Sequence, residues 1–209
     1  MHTEAFQGSW TLLKHLCLYL TSLGDNTLRL HVRDDGLWHS PINDGGLVID
    51  LFSDSDWAAH KGYRRSVSSG AFFFQYCLLL STSRAQGIVA LSSAETEVHA
   101  AVSTTCEALL LRVCIGFCLG KTTRLKSVLD NTAAKQILQR SGVGTIRHLS
   151  CRVLWIQGLV KRRELETASN THKRDFHLFS IPDLSTKKLS QDRMFYLMYG
   201  VRVFNEIHR

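Results

Sequence analysis

The acidic residues that follow apolar runs are where this sequence places its chemistry. Asp54 and Asp56 come directly after Leu47-Val48-Ile49-Asp50-Leu51-Phe52, an apolar run of strand length. Asp130 closes a second short run, Leu125 to Leu129. Glu95 and Glu97 stand near the start of a stretch dominated by helix formers, Ser93 to Leu119. Carboxylates at strand ends, or on a helix packed beside them, are natural ligands for Mg²⁺, which takes oxygen donors and keeps water and substrate phosphates in its other positions. Two such ions close together activate water and stabilise the oxygen that leaves a phosphodiester. Each acid alone also has a plainer reading, because Asp after a strand commonly makes a turn or caps a helix. Spacing narrows the choice only in part. Asp54 and Asp56 share a strand face, whereas Glu95 and Glu97 point about 200° apart on a helix, so only one of them faces the site.

The elements that must position these acids follow from periodicity. Trp10, Leu12, Leu13, Cys17, Leu20 and Leu23 recur at helical spacing and predict a helix over 6–23, ending at Gly24. Thr27 to Val32 is a short strand candidate, followed by a loop rich in Asp, Gly and Asn up to residue 46. Gly70 to Leu80, rich in Phe and Leu, predicts one or two strands in a hairpin. Ser92 or Ser93 caps the long helix and Gly120 ends it. Helices are expected over 131–140, with Ala133, Ala134, Ile137 and Leu138 on one side, and over 147–162 after the breaks at Gly142 and Gly144. Glu164 to Ala168 reads as an edge strand, and 190–204 as a last helix. This order predicts an α/β layout with a mixed sheet.

Composition bounds the function classes. At 209 residues, with 44% hydrophobic and 21% charged side chains, the chain is long enough for one globular domain plus extra segments and is not of disordered type. The net charge of +7 is unevenly spread: residues 1–120 carry 8 Lys and Arg against 11 Asp and Glu, and residues 121–209 carry 17 against 7. A basic C-terminal half suits a polyanionic partner, or is a solvated basic surface. The six cysteines form no C-x-x-C pair or zinc-ligand cluster, and buried, reduced thiols in an intracellular protein are expected. No segment is expected to span a membrane and no membrane partner is expected: Phe6 to Leu23, the apolar stretch near the start, is broken by Lys14, His15 and Ser22 and falls short of about 20 apolar residues. It also lacks the basic start and cleavage site of a signal peptide. A cytoplasmic or nuclear, non-secreted protein is the expectation.

Short words in the sequence sharpen this reading. Ser53-Asp54-Ser55-Asp56-Trp57-Ala58 resembles the S-D-A-D-W-A that opens the RNase H domain of copia-type LTR retrotransposon Pol polyproteins. Arg64-Arg65-Ser66-Val67-Ser68-Ser69-Gly70 resembles the R-R-S-T-S-G that follows it, and Ala90-Leu91-Ser92-Ser93-Ala94-Glu95-Thr96-Glu97 the A-L-S-S-T-E-A-E at the start of its long helix. Leu129-Asp130-Asn131-Thr132-Ala133-Ala134 is similar to C-D-N-Q-A-A at its fourth strand, Arg147-His148-Leu149 to its K-H-I, and Asp183-Leu184-Ser185-Thr186-Lys187 to its terminal A-D-I-L-T-K. The six words keep the family's order over roughly residues 47–190. Residues 6–23 resemble the helix that joins the reverse transcriptase part to this domain.

The resemblance implies an RNase H-like, mixed five-stranded sheet flanked by helices over 47–190. An N-terminal helix and connector over 1–46 would precede it, and a helical tail over 191–209 would follow. It implies Asp54, Glu97, Asp130 and Asp183 as the catalytic, metal-binding carboxylates, with two Mg²⁺ ions (or Mn²⁺) as cofactor and no small-molecule cofactor. An RNA–DNA hybrid is the implied substrate, and other Pol polyprotein domains are implied partners. Under this register Glu95 faces solvent in the first helical turn, where the dipole favours it. Arg140, Arg147, His148 and Arg152 are candidate contacts to nucleic acid, against solvated or capping roles for each. Trp57 is expected in the core.

Three departures stand beside the match: Ala59 replaces the Gly after D-W-A, Arg84-Ala85 replaces a basic pair, and the stretch from Thr171 to Asp183 is about six residues longer than in the family. By spacing, Asp175 is the alternative fourth acid. The chain opens at Met1 with no polymerase, integrase or protease body, so a fragment of an old element with decayed activity is a second expectation.

Overall fold

In the computed structural model, the described residues are 47–58, 62–74, 77–142, 150–169 and 182–186, with isolated positions between 10 and 28 and between 189 and 204. The sheet consists of β1 (Leu47–Ser55), β2 (Val67–Phe74), β3 (Cys77–Ala85), β4 (Thr123–Leu129) and β5 (Leu165–Ser169). Its strand order is β3-β2-β1-β4-β5. β1, β2 and β3 form an antiparallel meander, while β4 lies parallel to β1 and β5 parallel to β4. Helices α1 (Ser93–Leu119), α2 (Thr132–Gln139) and α3 (Ser150–Lys161) supply the rest of the core. This is the mixed five-stranded sheet with flanking helices that the RNase H-like fold requires.

Alternation along β1 divides its side chains between the two sheet faces. Ile49 and Leu51 point toward α1 and join Phe72, Val98, Ala101, Leu125, Ile137, Leu138, Val153 and Ile156 in one apolar cluster. On the opposite face the rings of Phe52 and Phe73 meet edge to face at 5.6 Å. Asp50 and Lys126 are cross-strand partners, with Lys126 Nζ 3.6 Å from Asp50 Oδ1 and the lysine almost fully buried.

α1 starts and stops where its caps dictate. Ser92 Oγ accepts from the Glu95 N–H, satisfying a first-turn donor, and Glu95 Oε2 reaches back past the cap to accept from the Leu91 N–H at 2.8 Å. Glu95 is therefore buried, not solvent-facing as expected. Gly120 ends the helix in the left-handed conformation at φ 61°. Close to the sheet, the helix passes directly over Gly70, where an added Cβ would lie 2.8 Å from Thr104 Oγ1 and 3.0 Å from Thr82 Oγ1.

By length and composition α1 could also cross a bilayer, with a mean hydropathy of 1.6 over its most apolar window. Its buried residues run from Glu95 to Ala108 and pack on the sheet, while Leu110, Val113 and Phe117 on the distal half are exposed. That projection corrects the expectation for the cysteines. All six are thiols, but Cys77 is half-buried and the other five are exposed, three of them along the outer side of α1.

Residues Met1–Arg29 and Arg202–Arg209 form a separate unit from Leu30–Val201. In the smaller unit the described positions between 10 and 21 are helical, as expected within 6–23, and Thr27–Leu28 pair antiparallel with Val203–Phe204. The last two positions of the helix expected over 190–204 are thus a strand, in keeping with the β preference of Val and Phe.

Candidate active site

β1 and β4 end side by side. The parallel ladder pairs Phe52 with Val128, so two further residues on each strand carry Asp54 and Asp130 to neighbouring carboxyl ends. Asp54 is buried within β1, and Asp130 is exposed just beyond β4. Asn131, the next residue, caps α2 by accepting from the Ala134 N–H at 3.0 Å, which fixes the turn that carries Asp130.

Glu97 arrives from the first turns of α1 and is buried. Its Oε1 accepts from the Ser55 backbone N–H at 3.3 Å and from the Ser55 hydroxyl at 3.0 Å. Ser55 Oγ also lies 2.8 Å from Thr96 Oγ1, so the end of β1 is tied to α1 at two successive residues. Glu97 Oε2 is buried with no hydrogen-bond partner. Burial first, then the negative fields of Asp54 and Asp130, push the Glu97 carboxyl up to about 8, against a smaller opposing effect from Ser55. Three of the acids singled out in the sequence thus share one electrostatic environment.

The geometry also separates Asp54 from Asp56. Asp56 Oδ1 accepts from the Val67 N–H, and the Asp56 N–H donates to the Val67 carbonyl at 3.1 Å. Asp56 therefore closes the open end of the β1–β2 pair. Asp54 Oδ2 instead accepts from the hydroxyl of Thr186.

Thr186 ends α4 (Asp183–Thr186), a single turn that packs against β1, β2 and β3. Asp183, at the start of that turn, is buried, and its Oδ2 lies 3.2 Å from Arg193 Nη2. The fourth acid is thereby carried by the same turn that touches Asp54. Its alternative, Asp175, lies outside the described residues, as do Arg147 and His148.

The remaining candidates stand elsewhere. Arg140 is half-buried at the end of α2, where its N–H donates to the Gln136 carbonyl at 3.0 Å. Arg152, exposed on α3, has Nη1 3.1 Å from His99 Nδ1. Together with Arg84 and Trp155 these two residues line a groove of about 470 Å³ between α1, β3 and α3. Trp57 is 55% exposed, its indole N–H directed at the Ala90 carbonyl at 3.4 Å, so it is not the core residue expected.

Carboxylate oxygens are the donor type a hard divalent cation takes; Asp54, Glu97 and Asp183 are buried, Asp130 is exposed, and the buried Oε2 of Glu97 has no hydrogen-bond partner. Their spacing is not that of a closed ligand shell: among the described residues no three His, Cys, Asp or Glu side chains are gathered closely enough to hold a metal ion. Sequence reasoning missed Ser55, Thr186 and Arg193. The first two sat inside quoted words, between the acids of Ser53-Asp54-Ser55-Asp56 and at the end of Asp183-Leu184-Ser185-Thr186, so their hydroxyls could have been singled out.

No family model matches the chain, and no curated protein matches it. Among solved structures it is similar to the N-terminal RNase H domain of rv2228c from Mycobacterium tuberculosis, studied as a fusion with maltose binding protein. The identity is 12% and the TM-score 0.45, over 74% of this chain and 98% of that one. It is similar to LC11-RNase H1, isolated from compost, at 12% identity and a TM-score of 0.46, over 68% and 92% of the two chains. A prototype foamy virus protease-reverse transcriptase matches at 8% identity and a TM-score of 0.40, over 69% of this chain and 21% of the viral one. No residue role passes from these proteins to this chain.

Proposed function

We propose that the chain is a ribonuclease H-type endonuclease that hydrolyses the RNA strand of RNA–DNA hybrids, and that it derives from the Pol polyprotein of a copia-type retrotransposon. The observation that carries this reading is the shared environment of Glu97, Asp54 and Asp130 at the ends of two adjacent parallel strands. Asp54, Glu97, Asp130 and Asp183 are the residues that would hold Mg²⁺ or Mn²⁺. Bound there, a pair of ions would activate water and stabilise the departing 3′ oxygen.

The chain's own residues prepare this site. Ser55 fixes Glu97 by one oxygen and leaves the other available. Asn131 fixes the turn that carries Asp130. Thr186 holds α4 against Asp54. Arg140, Arg147, His148 and Arg152 remain candidates for backbone phosphate contacts, and the hybrid would be read mainly through minor-groove shape and 2′-hydroxyls. An intracellular setting, cytoplasmic or nuclear, and association with other Pol domains belong to the same proposal.

A second reading is a catalytically decayed nucleic-acid-binding remnant. It is favoured by the absence of a ready ligand cluster among the described residues. The two are separated by incubating purified protein and Mg²⁺ with an end-labelled RNA–DNA hybrid, an RNA duplex and a DNA duplex. The enzyme cuts only the RNA of the hybrid. The remnant retards the hybrid on a gel and cuts nothing.

A further inference from the structure

α1 outruns the sheet on which it packs. Its buried residues end at Ala108, and the helix continues to Leu119. Along its outer side Ser103, Cys106, Leu110, Val113 and Phe117 are all exposed, in alternating steps of three and four residues. Leu110, Val113 and Phe117 are 62%, 66% and 88% exposed, and Cys114 beside them is exposed too. Alternating steps of three and four hold side chains on one narrow stripe, the seam through which two helices pack on each other. No residue of the stripe is charged. Arg112, the one charged side chain between Ala108 and Leu119, sits off the stripe, its Nη2 3.7 Å from Glu164 Oε2.

We propose that this seam pairs two copies of the chain, α1 against α1 in antiparallel orientation. Area, charge and length choose a second copy as the occupant. The exposed parts of these side chains amount to on the order of 500 Å² per copy, at the upper end for the largest apolar patch of an ordinary monomer. Two such faces bury about 1,000 Å², the lower bound for a specific interface. Glu107 flanks the start of the apolar stretch, bonded to Arg84 at 2.7 Å but still 27% exposed, and Lys121 follows its end. Antiparallel pairing brings each Lys121 toward the partner's Glu107, whereas parallel pairing sets lysine against lysine. A bilayer fits less well, because the helix beyond Ala108 is about 17 Å long against the roughly 30 Å of a hydrocarbon core. Pairing leaves the acids open, since Leu110 lies about 20 Å along the helix from Glu97.

Sedimentation equilibrium of the full chain, freed of nucleic acid and kept under reducing agent, tests this. The wild type should show a monomer–dimer equilibrium in the micromolar range. Salt should tighten it, because screening relieves the repulsion between two chains of net charge +7. Phe117→Lys and Val113→Lys should each weaken it by about tenfold or more, since each sets a charge in an apolar seam. Both positions are exposed, and circular dichroism should show both variants folded as the wild type. Lys121→Glu should weaken pairing by about two- to fivefold, and Glu107→Lys in the same chain should restore it. A wild type that stays monomeric overturns the inference, as does a dimer that both Phe117→Lys and Val113→Lys leave intact. A dimer that salt dissolves overturns it as well, for its contact is then ionic. A monomeric wild type that floats with phosphatidylcholine vesicles, when Phe117→Lys does not, overturns it and gives the face to lipid. Failure of Glu107→Lys to restore pairing overturns the antiparallel orientation.

Discussion

Thr186 donates its hydroxyl hydrogen to Asp54 Oδ2 across 132 positions of sequence. The contact ties the one-turn helix that carries Asp183 to the strand that carries Asp54, and so gathers acids from distant parts of the chain. Thr186→Val removes the hydroxyl at nearly constant shape and leaves a buried carboxylate oxygen short of a donor, at a cost of about 1–3 kcal/mol. Chemical denaturation should show that loss, and Thr186→Ser should restore most of it. A valine variant as stable as the wild type would mean that α4 is held by packing alone.

Asp54 and Asp56 should separate cleanly by phenotype. Asp56 bonds the Val67 N–H, so Asp56→Ala should lower stability by about 1–2 kcal/mol while hybrid cleavage by the folded fraction persists. Asp54→Asn should do the reverse, keeping the fold and losing cleavage. Paired denaturation and cleavage assays check this, and loss of cleavage in both folded variants would refute the division of roles.

Glu97 makes stability depend on pH in a direction opposite to that of an ordinary ion-paired carboxylate. Its folded value of about 8 lies above the ordinary glutamate value of 4.5, so between these values the native state holds more proton than the unfolded chain. The stabilisation from keeping Glu97 protonated is complete below about 4.5 and is lost as pH rises through about 8. In Glu97→Gln that dependence should vanish, with the variant gaining on the wild type between about pH 5 and about pH 8. Equal slopes for the two proteins in metal-free buffer would show that Glu97 is not desolvated.

Gly70 faces Thr104 and Thr82 at distances that leave no room for a methyl group. Gly70→Ala should cost about 1–3 kcal/mol by forcing α1 away from β2. Thr104→Ala in the same chain should recover part of that loss, a non-additivity that thermal melts of the two single variants and the double variant would reveal. Strict additivity would place the strain elsewhere.

The centre of the sheet is legible because β1, β2 and β3 carry apolar runs bounded by turn residues, and α1 because a Ser cap and a Gly stop frame an unbroken helical stretch. The strands extend beyond their apolar cores: β1 continues through Ser53, Asp54 and Ser55, whose burial is polar and invisible to a hydrophobic pattern. Glu95 is expected in solvent because the family register puts Glu97 in the site and the two point about 200° apart, whereas Ser92-x-x-Glu95 spells a capping box that draws Glu95 back to the helix start. Trp57, expected in the core, is 55% exposed, and Ala58 next to it adopts φ 51° in the turn beyond β1. The partnership of Arg193 with Asp183 left no local signal, since it depends on how two turns meet in space. Candidate acids were legible as strand-end carboxylates, and the family words narrowed them. Strand geometry alone leaves Asp54 and Asp56 on one face; the family word singles out Asp54, and the hydrogen bonds give Asp56 its place at the β1–β2 end.

The most direct test of the account is the rate of RNA-strand cleavage in a labelled RNA–DNA hybrid with Mg²⁺, compared between wild type and Asp130→Asn. Asp130 is exposed, so the substitution should leave the fold intact. The account predicts cleavage by the wild type and a loss of about 100-fold or more in the variant, several kcal/mol of transition-state stabilisation. Equal cleavage by both proteins, or none by a wild type that still binds the hybrid, would contradict a working carboxylate centre at the ends of β1 and β4.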